Sequence, residues 1–576
     1  RENDTLDFGH LAIASTLSNQ VQRSIFVDSD VGNAEITGEY NLSELPDAAI
    51  AMIKLNFPSL GKKIKYTGNI PANEVIANFE VNLIDGGDVL SFFTSKEAKL
   101  EDISMKGSID YRQNDFKFDL NTADALYDQF HTYGLNVNFD IEESKGHFEA
   151  KVDSGYLKQF PLAAVDIEGN LERDTLYFGV TTQEILDSIS NVIVSGRVFP
   201  EDSVFVANFS QLQFDLLGDK WRLLDQNEAS VGNNYINVEN FVLSDNYRSI
   251  KLKSINNNKG IETELKEIQL FLVNKWINKD DFILNGDVNA TIAFEDIFKL
   301  SGLYVKSKIE NMMVNEQPMG TVTIDAETDL KAKSIGFDVT LDHYSEDVNL
   351  NGTYSLLTKD VEADLVVSGF KLLFLENFLK GNIENTQGTV YGKMHIDGPI
   401  YDMNTTGRGE VRDGFTRVNY LGTEYSFEEA KFKISKGFID FTGGYLRDTR
   451  EQLALVKGGL THDNFRNLGL DVNISSEKFI LIDTDEKINP SYYGLGLGEA
   501  NVDFLGPFSN MTIKIQATTG KDTRMTLPVV YVNSTRDQSF IPIVDREKFL
   551  EGYKSDKVDN KKSTYVGLEL EMNLTV

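Results

Sequence analysis

The sequence predicts an all-β protein: one long, continuous antiparallel sheet with a few short helical inserts. Three observations carry this expectation. Apolar residues recur at every second position through most of the chain, which places them on one face of a pleated strand. Phe (37) and Tyr (22) are abundant and Gly (44) far outnumbers Pro (11), the balance that suits many short strands with glycine at turns and bends. No Pro-rich linker or block of charge divides the chain, which favours one elongated sheet over a string of separate domains.

Taken in order, residues 21–40 form two short strands meeting around Gly32-Asn33-Ala34. Residues 47–55 predict a short amphipathic helix ended by Phe57-Pro58, because the residue before proline disfavours the helical region. Alternation then takes over. Ile64, Tyr66, Gly68 and Ile70 are followed by Ala77, Phe79, Val81 and Leu83, with a turn at Gly86-Gly87. Ile103, Met105, Gly107 and Ile109 come next, then Phe116, Phe118 and Leu120. Residues 123–130 read as helical before Leu135, Val137, Phe139 and Ile141 resume the strand pattern. Val165, Ile167, Gly169 and Leu171 continue it, as do Val192, Val194, Gly196 and Val198.

The middle keeps the same period. Leu284, Gly286, Val288, Ala290, Ile292 and Phe294 predict a long strand before a helical turn at 295–300. Ile335, Phe337, Val339 and Leu341 predict another, paired with Val348 and Leu350. Residues 371–379 are the clearest helical insert, with Gly381 as a stop. Residues 388–396 return to alternation and end at Gly398-Pro399. Near the end, the strand 501–505 stops at Gly506-Pro507, and a second strand, 511–517, alternates Met511, Ile513 and Ile515 with Thr512 and Lys514. Residues 523–528 turn from polar to apolar, and the last eleven residues alternate again. We take the chain as 1–220, 221–487 with the helical inserts, and 488–576, divisions that follow the family resemblance given below and not the alternation.

Composition excludes several functions. With Lys+Arg at 56 against Asp+Glu at 89, the formal net charge of −33 repels nucleic-acid phosphates and anionic membrane surfaces. The 41% of hydrophobic residues is enough for a folded chain. Cysteine is absent, which removes disulfides, thiolate metal ligands and a thiol nucleophile. No apolar stretch approaches a membrane span. The beginning at Arg1 and the end inside an alternating strand read as an interior piece of a longer chain, any anchor lying outside it.

A search for chemistry finds little. None of the six histidines has a close metal-ligand spacing, and no nucleophile-elbow or phosphate-loop motif occurs. Asp28-Ser29-Asp30 with Gly32 lacks the remaining ligands of a calcium loop. Gly494-Leu495-Gly496-Leu497-Gly498 resembles part of a dinucleotide loop, but no helix pattern follows, so a bend in a strand is expected there. We therefore expect no enzymatic activity and no cofactor or metal. What remains is the continuous apolar face. It either closes on itself as an ordinary core or curls into an open trough that holds apolar ligands, and the pattern alone does not separate the two.

Several stretches carry a family resemblance: Gly218-Asp219-Lys220-Trp221-Arg222-Leu223, the strand 236–243, the Gly388–Gly398 strand ending in Gly-Pro, Leu446–Asp448 followed by Gly459-Leu460-Thr461-His462, and Tyr492-Tyr493-Gly494 through Pro528. In this order they resemble the translocation and assembly module TamB family, AsmA-like bridge-like lipid transport proteins of the Gram-negative envelope, from about Trp221 onward. The resemblance implies a long U-shaped, taco-like β-groove, open along one side and lined with apolar side chains. It implies a conduit in the periplasm, bridging inner and outer membranes, that moves phospholipid toward the outer membrane with a barrel partner of the BamA/TamA type. The alternative function is an assembly or translocation factor for outer-membrane proteins, acting through exposed strand edges. The segment 488–576 then corresponds to the family's C-terminal part, cut short. Expected lining residues are Leu135, Val137, Phe139, Ile335, Phe337, Val339, Leu341, Leu470, Val472, Ile474, Leu568, Leu570, Met572 and Leu574.

Overall fold

The computed structural model describes residues 9–18, 22–58, 75–85, 98–274, 283–377, 383–526, 528 and 568–575, except 129, 143, 158–159, 186–188, 225, 345, 420, 465 and 491 within those ranges. Among the described residues the protein is all-β. It has 35 strands in one hydrogen-bonded sheet, one α-helix and two short 3₁₀ helices. Successive strands pair antiparallel through short turns. One pairing departs from the antiparallel expectation: Leu568–Thr575 lies parallel to Met511–Thr519. The chain forms two compact units, one of residues 1–268 with 289–302, the other of residues 269–288 with 303–576.

In the first unit the register lines the alternating residues up across the strands. One row runs Ile36, Phe79, Gly107, Phe118, Phe139, Phe148, Gly169, Phe178, Gly196 and Phe209, each opposite the next. Beside it, on the same face, runs Val81, Met105, Leu120, Val137, Ala150, Ile167, Val180, Val194 and Leu212. The opposite face carries Glu80, Lys106, Asp119, Asn138, Glu149 and Glu168 in register. A one-residue slip of any strand would move its apolar set to the wet face, so the segregation fixes the register. Phenylalanine and glycine share a row because a ring needs room. The Phe79 ring lies on Gly107, where a Cβ would meet Cζ at 2.3 Å.

The helix Leu45–Asn56 covers one part of this face. Proline near its first turn and Asp47 there suit the helix start, and Lys54 suits its last turn. Ala48 and Met52, one turn apart, are buried with Tyr40, Val75, Ala77 and Ile109, and Ile25, Ile36 and Phe116 pack around them. The helix matches the expected 47–55 within two residues.

Two helical expectations fail. Residues 123–130 form no helix: the strand Asp115–Tyr127 runs through them and the next strand begins at Phe130. Their helix-forming alanines and leucine are overridden by pairing on both sides, with Leu100 opposite Ala125 and Thr132 opposite it on the other flank. At 295–300 the strand Leu284–Asp296 continues and a simple turn follows, tied by the Lys299 N–H donating to Asp296 Oδ1 at 3.2 Å. The insert expected at 371–379 is a 3₁₀ helix, Leu372–Asn377; Gly381 lies outside the described residues, as do Ile64–Ile70 and Gly86-Gly87.

In the second unit an apolar row crosses twelve strands: Ser307, Ile324, Val339, Leu350, Leu365, Met394, Gly407, Ile434, Ile439, Leu460, Leu470 and Gly506. This unit also contains a closed core. Leu421, Ala454, Phe479, Leu481, Ile482, Val502, Ile513 and Ile515 are buried together. Four consecutive residues, Phe479 to Ile482, are buried, so both faces of the strand Arg466–Thr484 are covered there. Tyr425 supplies part of the cover by stacking on Phe479 at 5.3 Å and donating its hydroxyl to Ile480 O at 3.2 Å. Burial pushes the Tyr425 phenol up.

The Gly-spaced run lies inside the strand Tyr493–Pro507, opposite register shifts in Arg466–Thr484. A Cβ on Gly498 would sit 2.0 Å from Thr518 O. Close strand approach, and no phosphate cradle, accounts for that glycine. The strand passes through Gly506-Pro507, ending two residues later than expected, and turns at 508–510.

Candidate functional site

The candidate site is the apolar face, and its exposure is the informative property. In a closed sandwich the middle of such a face is dry. Here Phe79, Phe118, Phe139, Phe148, Phe178 and Phe209 are all only half-buried. So are Ile324, Val339, Leu350 and Leu365 in the second unit. The apolar rows are packed sideways against each other more than they are covered from above. Phe79 with Phe118 (6.4 Å), Phe116 with Phe139 (5.9 Å) and Phe178 with Phe209 (6.1 Å) make tilted or edge-on ring contacts along the face.

The structure places the sequence-derived lining residues as follows. Leu135, Val137 and Phe139 share one face of Phe130–Glu142 and are half-buried. Ile335, Phe337, Val339 and Leu341 share one face of Ser334–His343 and are half-buried too. Leu470, Val472 and Ile474 share a face of Arg466–Thr484, where Leu470 and Ile474 pack against the closed core. Val339 and Leu470 belong to the same cross-strand row. Leu568, Leu570, Met572 and Leu574 fall in the strand opposite Met511, Ile513, Ile515 and Ala517; their side chains lie outside what is described.

Sequence reasoning missed three features of the face. The Phe–Gly row depends on register between distant strands, although glycines at the same phase as phenylalanines hint at it. The closed core is announced by the unbroken apolar run Phe479-Ile480-Leu481-Ile482. The third is the cluster around Trp221. This side chain is 2% exposed, stacks on Phe214 at 6.2 Å and lies under the Arg248 guanidinium at 5.5 Å. Arg248 Nε donates to buried Asp245 at 2.6 Å, and the guanidinium also reaches Asp219. Burial alone raises the Asp245 carboxyl. Hydrogen bonds from the Arg248 backbone and guanidinium and from the Tyr247 N–H outweigh it and hold the carboxyl below its usual range.

The other face is polar and carries exposed charge pairs. Lys99 bridges Glu101 and Asp124, and His131 meets Asp124 at 2.6 Å. His395 is held above the ordinary histidine range by its hydrogen bond with Asp364 at 2.8 Å. Among the described residues no group of His, Asp and Glu is arranged to hold a metal ion. The Asp28–Asp30 segment is a plain strand turn in which Ser29 Oγ donates to Gly32 O at 2.9 Å. No helix among the described residues is long and apolar enough to cross a membrane. Compared with known protein families, with characterised proteins and with solved structures, the chain matches none.

Proposed function

We propose that the chain is a conduit for phospholipid, a member of the translocation and assembly module family that works in the periplasm of a Gram-negative cell. In this reading the apolar face is the inside of a U-shaped groove, and lipid moves along it toward the outer membrane and a barrel partner. The observation that carries the proposal is the incomplete burial of most side chains in successive apolar rows. An acyl chain laid on them exchanges water for apolar contact, about 0.8 kcal/mol per buried CH₂. Because the rows repeat from strand to strand, affinity along the path stays similar, and the headgroup stays at the wet edge. No reacting group is required, so the chain acts without a catalytic step or cofactor.

A second reading, an assembly factor for outer-membrane proteins, is favoured by the strand Leu11–Ser18. It is exposed along its whole length and, among the described residues, has a partner on one side only. Native mass spectrometry and solvent extraction of the purified chain test the first reading. The conduit gives co-purified phospholipid that detergent exchanges away. A lipid-free protein that takes up no phospholipid from vesicles overturns it.

A further inference from the structure

At two of the places where one full-length strand meets two shorter ones, the gap between the short strands is filled differently. In the first unit, Val204–Leu216 pairs with Asp219–Leu223 over residues 213–216 and with Glu228–Gly232 over residues 205–207. Between them stands the carboxamide of Asn227, itself 6% exposed. The Phe209 N–H donates to Asn227 Oδ1 at 2.9 Å, and Asn227 Nδ2 donates back to Phe209 O at 2.9 Å. One amide group thus replaces one strand residue and satisfies both backbone groups of Phe209.

In the second unit, Thr423–Ser435 pairs with Phe438–Asp440 over residues 433–435 and with Gly444–Arg447 only at Ser426 opposite Arg447. The two-residue turn after Ser435 makes Ser435 and Phe438 the hydrogen-bonded pair. Alternation from there directs the N–H and C=O of Glu429 and Lys431 into the gap. The residues that follow Asp440 turn away from it, toward the strand Leu453–Asp463: the Gly443 N–H donates to Val456 O at 2.9 Å, and Thr442 Oγ1 accepts from the Gly458 N–H at 2.9 Å. A cleft of about 520 Å³ opens in the gap instead, lined by Phe427, Glu429, Lys431, Gly444, Tyr445 and Leu453. Tyr445 and Leu453 are each more than half exposed.

We propose that this gap binds an extended segment of a partner polypeptide. Its backbone pairs with Glu429 and Lys431, and an apolar side chain rests against Tyr445 and Leu453. The site follows from the comparison with Asn227: the missing element is an amide donor and acceptor at strand spacing, which a peptide repeats at every second residue. Obligatory backbone hydrogen bonds left open beside exposed apolar side chains form a two-part recognition surface. The inference stands apart from lipid transport, since these backbone groups point along the sheet and not onto the apolar face.

The test uses the whole chain and a fluorescent, end-capped five-residue peptide alternating threonine and valine about a central phenylalanine. Saturable binding is expected, with slowed amide exchange at Glu429 and Lys431. N-methylating the peptide at its two pairing nitrogens weakens binding at least tenfold, and Tyr445→Ala weakens it severalfold. Because the decisive change is made in the peptide, folding of a variant does not enter. Equal binding of the N-methylated peptide, absence of binding at millimolar peptide, or exchange protection located elsewhere overturns the proposal.

Discussion

Val339→Asp slows phospholipid transfer between vesicles about thirtyfold while far-UV circular dichroism stays that of the parent. Val339 is the third residue of the row running from Ser307 to Gly506, with Ile324 on one side and Leu350 on the other. It is half-buried, so an aspartate there reaches water and the sheet survives. An acyl chain passing the site must displace that water and lie against an unpaired carboxylate. A barrier of about 2 kcal/mol at a single point of the path is enough for the stated slowing, and it is at the low end of the cost of desolvating an unpaired polar or charged group. Thr353→Lys, on the opposite face beside Glu362, leaves transfer unchanged. A stopped-flow transfer assay with fluorescent phospholipid checks both variants. Undiminished transfer by the aspartate variant counts against a path along this row.

Trp221→Ala costs about 3–5 kcal/mol, the range for truncating a buried aromatic side chain. The loss is more than a cavity. Phe214 loses its stacking partner, and the Arg248 guanidinium, 12% exposed, loses the ring beneath it while still paired to Asp245. Among the described residues the indole N–H has no hydrogen-bond partner in its buried position. Trp221→Phe therefore removes an unsatisfied donor along with some packing, and costs only about 1 kcal/mol. Urea titration followed by amide exchange across residues 213–223 measures both. A phenylalanine variant as unstable as the alanine variant would show that the indole nitrogen has a partner after all.

How much of this was legible in the sequence depends on how local each feature is. Period-two alternation is written in each strand by itself, so Leu135, Val137 and Phe139, or Ile335, Phe337 and Val339, are assigned to one face without any knowledge of their neighbours. Register is a property of pairs of strands. The Phe79-to-Phe209 row and the alignment of Val339 with Leu470 emerge only once the partners are known. Residues 123–130 show the same limit in reverse: alanine and leucine favour a helix locally, and pairing on both flanks overrides them. The closed core at Phe479–Ile482 breaks alternation because that segment is covered on both faces, and a rule built on one wet face does not foresee that Leu470 and Ile474 pack against it. The asymmetry between the two gaps was beyond sequence reasoning, since Asn227 is an ordinary loop asparagine until Phe209 is seen opposite its amide.

The central claim is that lipid occupies the apolar face. Photo-crosslinking tests it most directly, with benzoylphenylalanine placed at Phe139 or Phe337 on that face and at Asp119 or Thr353 on the other. After incubation with radiolabelled phospholipid vesicles and illumination, the account predicts labelled protein from the first two positions and none from the second two. Label at all four positions, or at none, would contradict it.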